Sequence, residues 1–506
     1  MQSDPSYESF LKKYEKGIAQ TVTMRLVADL ETPVSAMLRI AAQEPFAFLL
    51  ESVEGGKTRG RYSVIGMAPD LIWRSSNNKV EICKDPTATP RKYIKSKTTS
   101  LKSLRALLKE SRIDLPEDLP PMAAGVFGYM GYDTVRLIEE LPDDNEDQLG
   151  LPESLMIRPT LILIFDAVKD EITVVTPVRC KKAISAKAAY AQAIDRLELV
   201  INRLETPILH GDNEQYQEAT ASEPVSNTTP AKYKQMVTRA QEYIEAGDVF
   251  QVVLSQRFEA PFTLPPFSLY RALRRTNPSP FLYFLKFDDF CVIGSSPEIL
   301  VRLRDNEITI RPIAGTRMRG RTPKEDQEMS DELLSDPKEL SEHLMLLDLG
   351  RNDVGRVAIP GSVEVTDSFF LEYYSHVMHI VSNVTGQVDP KKHDAIDALM
   401  AGFPAGTVSG APKVRAMEII DELEKDRRGI YAGCVGYFTA DGEMDTCIIL
   451  RTSIVKDGMM YVQAGAGIVA DSQPKLEQKE CINKAKALFQ AASEAVRFAS
   501  QAKMGQ

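Results

Sequence analysis

Apolar residues follow two rhythms along the chain. In its first part, short runs of strand length at 46–50, 161–165 and 172–175 alternate with helical stretches at 101–111 and 183–204. Further on, Tyr233, Met236, Val237, Ala240, Tyr243 and Ile244 recur at i, i+3, i+4, i+7, i+10 and i+11, which puts one apolar face on a helix. Gly247 stops that helix, and residues 250–256 then read as a buried strand. Later strands at 290–293, 446–451 and 461–463 alternate with helices such as 412–423. The mixture is too irregular for a strict βαβ repeat and predicts an α+β fold.

One polar stretch interrupts the pattern. Residues 206–230 are poor in large apolar side chains and close on a proline, so they read as a linker. It separates an N-terminal part, 1–205, from a C-terminal part, 231–506.

Composition narrows the function. With 506 residues, 43% of them hydrophobic and 26% charged, the chain can bury a large core. A net charge of -10 argues against nucleic acid or an anionic membrane as partner. A dianionic small molecule would need locally concentrated positive charge. Residues 1–17 lack an apolar signal region, and no run approaches the roughly 20 apolar residues that span a bilayer. The six cysteines are scattered without a C-x-x-C pair, so free thiols in a reducing cytoplasmic compartment are expected.

Several segments are candidates for chemistry. Glu339 and Glu342 share one helix face at i, i+3, as do Glu477 and Glu480. Facing each other, such pairs would repel unless a hard cation intervened, and Mg2+ suits one or two carboxylates, waters and a substrate anion. Each pair alone also fits an ordinary solvated face, with Glu480 and Lys484 as an i, i+4 ion pair. The small-residue run 403–413 places Ser409 and Pro412 at the opening of a helix, where backbone N–H groups favour an anion. Neither it nor the glycine-rich run 463–470 is a phosphate or dinucleotide motif: the first lacks Walker spacing, and no second strand follows the other. That spacing argues against a Mg2+ phosphotransferase. Glu298, after an apolar strand, is a candidate buried general acid.

In order along residues 233–498, segments 294–298, 311–317, 335–353, 404–413, 431–437, 445–451 and 463–484 resemble the chorismate-binding catalytic domain shared by anthranilate synthase, aminodeoxychorismate synthase, isochorismate synthase and salicylate synthase. The resemblance implies two packed β-sheets flanked by helices, with an N-terminal regulatory part and a C-terminal catalytic part interwoven. It implies Mg2+ held by Glu342 and Glu480, with Glu339 and Glu477 in support through water. Arg451, at a strand end, and Tyr431 would hold the enolpyruvyl carboxylate, while Gly465 and Lys484 complete anion binding. Gly315 and Thr316 fall in the substrate-binding segment, Glu298 would protonate the departing C4 hydroxyl, and Thr407 would line the ring. His379 matches a family histidine near the ring, as a catalytic group or as a hydrogen-bonded structural one.

Two positions separate the branches of the family. Water-using members resemble one another in a lysine base where this chain has Gln251, and the aminodeoxychorismate branch commonly carries a nucleophilic lysine where it has Ala314. With both absent, ammonia is the expected nucleophile and anthranilate the expected product. The alternatives are an aminodeoxychorismate synthase large subunit and a non-catalytic tryptophan-sensing subunit. Glu51 and Ser52, with Pro280, Phe281 and Leu282, resemble the halves of a tryptophan feedback site. None of the cysteines lies in a glutaminase elbow and there are only five histidines, so a separate glutamine amidotransferase subunit is implied as partner.

Overall fold

The computed structural model describes residues 3–41, 44–54, 58–208, 222–374 and 377–501. Much of the linker therefore lies outside the described residues. Just past it, Val225–Ser226 adds a short edge to the strand Gln251–Pro261, and Pro230 opens the helix Pro230–Glu245.

The strands form one hydrogen-bonded network that divides into two antiparallel sheets sharing two long strands. Those strands are Thr58–Ser76, of 19 residues, and Ser154–Asp166, of 13. Their ladder slips between Pro69 and Leu71, just after Ala68 with φ 50°. A bulge bends and twists the strand that carries it, so one half of this ribbon belongs to each sheet. The first sheet runs in spatial order Gln20–Val27, Glu171–Val178, Ser154–Asp166, Thr58–Ser76, Ala47–Glu54, Phe281–Lys286, Phe290–Ser296, Thr452–Lys456, Met459–Ile468 and Gln251–Pro261. The second runs Lys79–Cys83, Thr58–Ser76, Ser154–Asp166, Gly125–Met130, Cys434–Thr439, Met444–Ile448, Ile299–Arg304, Glu307–Ile310, Val377–Gln387 and Glu364–Tyr373.

Strand residues alternate faces, and each sheet therefore has an inner and an outer apolar surface. The inner surfaces meet in one cluster, where Phe48 of the first sheet stacks on Phe127 of the second at 4.5 Å between centroids. Helices Tyr7–Tyr14, Pro33–Ile40, Ala186–Leu204, Pro266–Thr276 and Pro474–Gln501 cover the outside of the first sheet. Helices Ser100–Glu110, Pro337–Gly355 and Ala395–Gly402 cover the second. The α+β class and the two packed sheets flanked by helices are thus present.

The two parts of the chain are interwoven strand by strand. Ala47–Glu54 pairs with Phe281–Lys286, and Gly125–Met130 pairs with Cys434–Thr439. Two boundaries differ from expectation. Gln251, not Phe250, begins its strand, and Phe250 is 72% exposed. The strand expected at 446–451 ends at Ile448, because residues 449–451 carry the chain across to the other sheet.

Unpaired strand edges recruit other chains. Residues 1–208 expressed alone are expected to aggregate, and coexpression with 222–506 to restore a soluble complex in size-exclusion chromatography. A monomeric 1–208 fragment with a cooperative melt would contradict the interweaving.

Candidate functional site

The chain crosses between the sheets twice at neighbouring places. Pro297 and Glu298 join Phe290–Ser296 of the first sheet to Ile299–Arg304 of the second, and residues 449–451 return from Met444–Ile448 to Thr452–Lys456. The crossings are tied to each other: Ile448 N donates to the Glu298 carbonyl at 3.0 Å, and Ser295 N donates to the Arg451 carbonyl at 3.2 Å. Arg451 takes φ 47° here, so it opens the next strand from a left-handed bend rather than ending the one before.

Glu298 is 7% exposed. Burial pushes its carboxyl up to about 8, and the Thr407 hydroxyl and Arg451 guanidinium oppose that shift without cancelling it. Thr407 Oγ1 donates to Oε1 at 3.1 Å and shares its proton with Oε2 at 3.2 Å. The pair is a carboxylic acid at neutral pH with a hydroxyl at hand. Burial lowers the Arg451 guanidinium, which feels Glu298 and Tyr374. Among the described residues it makes no ion pair within 4.0 Å, so this half-buried cation is open to an anionic ligand.

His379 lies on Val377–Gln387 with Nδ1 3.0 Å from the Gly315 carbonyl and 3.1 Å from Thr316 Oγ1. Burial lowers its imidazole to about 4. The ring is therefore neutral; a carbonyl only accepts, so Nδ1 carries the proton and Nε2 keeps its lone pair. Gly315 adopts φ 70°, a left-handed conformation that glycine takes without strain and that turns its carbonyl to the histidine.

The acidic pairs sit on Pro337–Gly355 and Pro474–Gln501. Burial raises the Glu342 carboxyl, and Glu339 and Glu480 raise it further, against the Gln251 amide and Lys484. Burial raises Glu477 too, with Glu480 adding to it. The two helices therefore bring these carboxylates into each other's field. Glu339 is not left to water: Arg317 Nη1 donates to it at 2.9 Å. Glu480 pairs with Lys484 at 2.7 Å, the i, i+4 contact of an ordinary helix face. Among the described residues no group of three His, Cys, Asp or Glu side chains forms a ready-made metal centre. The donor set that remains, Glu342 and Glu480, with Glu342 raised by burial and by its acidic neighbours, is of the kind Mg2+ takes, since that ion keeps waters and needs few protein carboxylates.

Gln251 Nε2 donates to Glu342 Oε1 at 3.1 Å, and its Oε1 is buried without a partner. Gly465 lies within the strand Met459–Ile468, not in a loop after it. A Cβ there would come within 3.1 Å of the Tyr431 hydroxyl, and the Gly465 carbonyl accepts from Lys484 Nζ at 2.9 Å. The helix after the small-residue run begins at Lys413 behind Pro412, and Ser409, four residues earlier, donates to the Ala405 carbonyl. Ala314 is buried on the strand Ile313–Met318.

The expected tryptophan elements are cross-strand neighbours: Ser52 faces Phe281 and Glu51 faces Leu282. Opposed pairs share a face, so Glu51 and Leu282 lie on one side of the sheet and Ser52 and Phe281 on the other; Pro280 precedes the pair. The Glu51 carboxylate is already engaged by Tyr270 and by Arg274, whose Nε and Nη2 donate at 2.6 and 2.8 Å. Sequence reasoning missed Arg274, because only the strand register brings it to Glu51. It also missed Tyr132, Glu424 and Arg428, which lie in stretches with no periodic or motif signal.

The chain's residues 48–490 match the family model for chorismate binding enzymes. Anthranilate synthase component 1 of Cereibacter sphaeroides is 54% identical over 501 residues, covering 99% of this chain and 100% of that one. The component 1 of Acetivibrio thermocellus is 46% identical over 478 residues, covering 94% and 95%. Anthranilate synthase component I from Streptococcus pneumoniae TIGR4 superposes with a TM-score of 0.74 at 36% identity, covering 92% of this chain and 99% of that one. Likeness at this level over nearly the whole length, with the acid, cation and carboxylates in one region, leaves one conclusion: the chain belongs to the chorismate-binding enzyme family, on its anthranilate synthase component 1 branch.

Proposed function

We propose that this enzyme converts chorismate and ammonia to anthranilate, pyruvate and water in a Mg2+-dependent reaction of the cytoplasm, with ammonia delivered from glutamine by a separate glutaminase subunit and tryptophan acting as feedback inhibitor. The observation that carries the reading is the buried Glu298 acid beside Thr407, facing a guanidinium with no ion pair among the described residues.

Hydroxide is a poor leaving group, so the C4–O bond breaks when Glu298 gives its proton to that oxygen and water departs. The amine forms the new bond at C2, and its surplus proton is lost to solvent. Loss of the C2 hydrogen and the enolpyruvyl group as pyruvate then makes the ring aromatic. Neutral His379 offers Nε2 as acceptor on that face. Arg451 and Tyr431 take the enolpyruvyl carboxylate, while Gly465 and Lys484 close the anion site. Glu342 and Glu480 would hold the ion, which when bound neutralises the ring carboxylate and draws electron density from the ring. Gln251 and Ala314 supply no base or amine nucleophile, which favours free ammonia over water or an enzyme lysine. A tryptophan amine at Glu51 would share or displace the Arg274 guanidinium.

Purified protein given chorismate, Mg2+ and ammonium is expected to develop anthranilate fluorescence without any lyase, and to lose it with a chelator. Accumulation of aminodeoxychorismate would place the chain on the other branch; no turnover of chorismate would leave the sensing subunit. Glu298→Gln is expected to cut kcat about 10²–10⁴-fold, the range for a positioned general acid. In the unaltered enzyme, the protonated form is the active one. The rate should therefore hold below about pH 8 and fall above it as this carboxyl ionises, a limb read from the pH profile of kcat/KM. Adding tryptophan should lower the rate in the same assay, and Glu51→Gln should blunt that response; equal inhibition of both proteins would remove Glu51 from the inhibitor site.

A further inference from the structure

Arg428 lies between the helix Lys413–Leu423 and the strand Cys434–Thr439, 3% exposed. Its guanidinium reaches every wall around it. Nε and Nη2 donate to Glu424 at 3.0 and 2.6 Å, Nη1 to the Val408 carbonyl at 2.6 Å, and Nη2 to the Val253 carbonyl at 2.6 Å. Val408 follows Thr407, the hydroxyl on Glu298. Glu424 Oε1 in turn accepts from Ser255 N at 2.7 Å and Ser255 Oγ at 2.9 Å, and Ser255 stands opposite Gly465. The same guanidinium lies over the Tyr431 ring, 5.6 Å from its centroid. One buried cation thus fixes the Thr407 turn, the strand facing Gly465 and the ring of Tyr431.

The closest ring to that cation comes from the other part of the chain. Arg428 lies 4.9 Å from the centroid of Tyr132. Backbone contacts lock the two segments: Tyr132 N donates to the Gly429 carbonyl at 2.8 Å, and Gly429 N donates to Asp133 Oδ2 at 3.1 Å. The Tyr132 hydroxyl is buried without a hydrogen-bond partner, so what this side chain contributes is its ring face. A cation deprived of water is held strongly by such a face.

We infer that Tyr132 is a positioning residue for the substrate: its ring fixes the Arg428 guanidinium, which holds Tyr431 and the Thr407 turn in their binding geometry. The inference rests on the assignment of Tyr431 to the substrate carboxylate. It makes the N-terminal part a component of chorismate affinity, not a regulatory attachment alone.

The test is steady-state kinetics of the full chain with chorismate, Mg2+ and ammonium, alongside thermal melting. Tyr132→Leu and Tyr132→Met remove the ring, and should raise KM for chorismate about tenfold, the effect of a desolvated cation–π contact, with a smaller change in kcat. Tyr132→Phe keeps the ring and should hold KM within about twofold of the unaltered enzyme, the expectation for a ring-face contact. Two ring-less variants are used so that one folded protein suffices. A lowered melting temperature with unchanged KM in Leu and Met would make the contact structural only and overturn the inference. A KM raised equally by Phe, Leu and Met would overturn it too, since the hydroxyl would then be the active group. Tyr431→Phe separates the layers: if it raises KM while the Tyr132 variants do not, the inference alone fails; if it leaves KM unchanged, the assignment of Tyr431 fails and takes the inference with it.

Discussion

The acid and the cation of the site both depend on two chain crossings laid side by side. Where the sheets exchange strands at Pro297–Glu298 and again at 449–451, backbone hydrogen bonds lock the crossings together. A strand inside a sheet offers side chains to a face, but at the crossing Glu298 turns toward the helix Pro337–Gly355 and residues 405–407, with which it lines one cavity. Burial there is what lifts Glu298 far enough to keep its proton. Burial also lowers the Arg451 guanidinium, and Thr407 arrives from a third element to hold the acid. A carboxyl and a guanidinium in such a space would collapse into an ion pair if they met directly. Burial keeps Glu298 an acid against the opposing pull of Thr407 and Arg451, and the Thr407 hydroxyl fixes where its carboxyl sits.

The charge economy of the rest of the chain fits this arrangement. With 61 Lys and Arg against 71 Asp and Glu, the chain must concentrate positive groups locally to hold a dianion. Arg317, Lys484, Arg274 and Arg428 each serve a carboxylate or carbonyl, whereas the Arg451 guanidinium has no ion pair among the described residues. Glu480 has Lys484 as its ion-pair partner, whereas Glu342 is raised by burial and by its acidic neighbours. In the proposed reaction, a hard divalent ion shared with a substrate carboxylate would relieve that unfavourable burial.

Periodicity made the elements legible, and motif order made the family legible. Tyr233 through Ile244 does form a one-faced helix, and strand-sized apolar runs such as 161–165 are strands. Glu298 was findable because it ends an apolar run beside a proline, and Glu342 and Glu480 because i, i+3 pairs are visible in one dimension. Other features need three. Nothing local distinguishes a glycine in a loop from Gly465 in a strand, whose missing side chain makes room for Tyr431. Residues 449–451 look like more strand because Ile449 and Leu450 continue the apolar run while the backbone changes sheets. Glu51 looked free for an amine because its partner lies 223 positions away and meets it only through the Ala47–Glu54 and Phe281–Lys286 pairing. Tyr132 and Arg428 are likewise joined by the ladder between Gly125–Met130 and Cys434–Thr439.

Glu298, the proposed acid, also acts on the stability of the fold, and its environment fixes the sign. Glu298 is raised in the folded state, so between its ordinary value and about 8 the native protein binds a proton that the unfolded chain releases. The group's contribution to stability is therefore fully present at acid pH and is lost as pH rises through about 8. Asp166, lowered by its hydrogen bond with Arg61 despite some burial, has the opposite slope: its contribution is present at neutral pH and lost on acidification. Asp166 is held by one guanidinium, Arg61, which reaches both of its oxygens. In the proposed mechanism, keeping Arg451 out of such a pair preserves the proton on Glu298 and leaves the cation for the substrate, at the cost of a contribution to stability that this one group loses between its ordinary value and about pH 8.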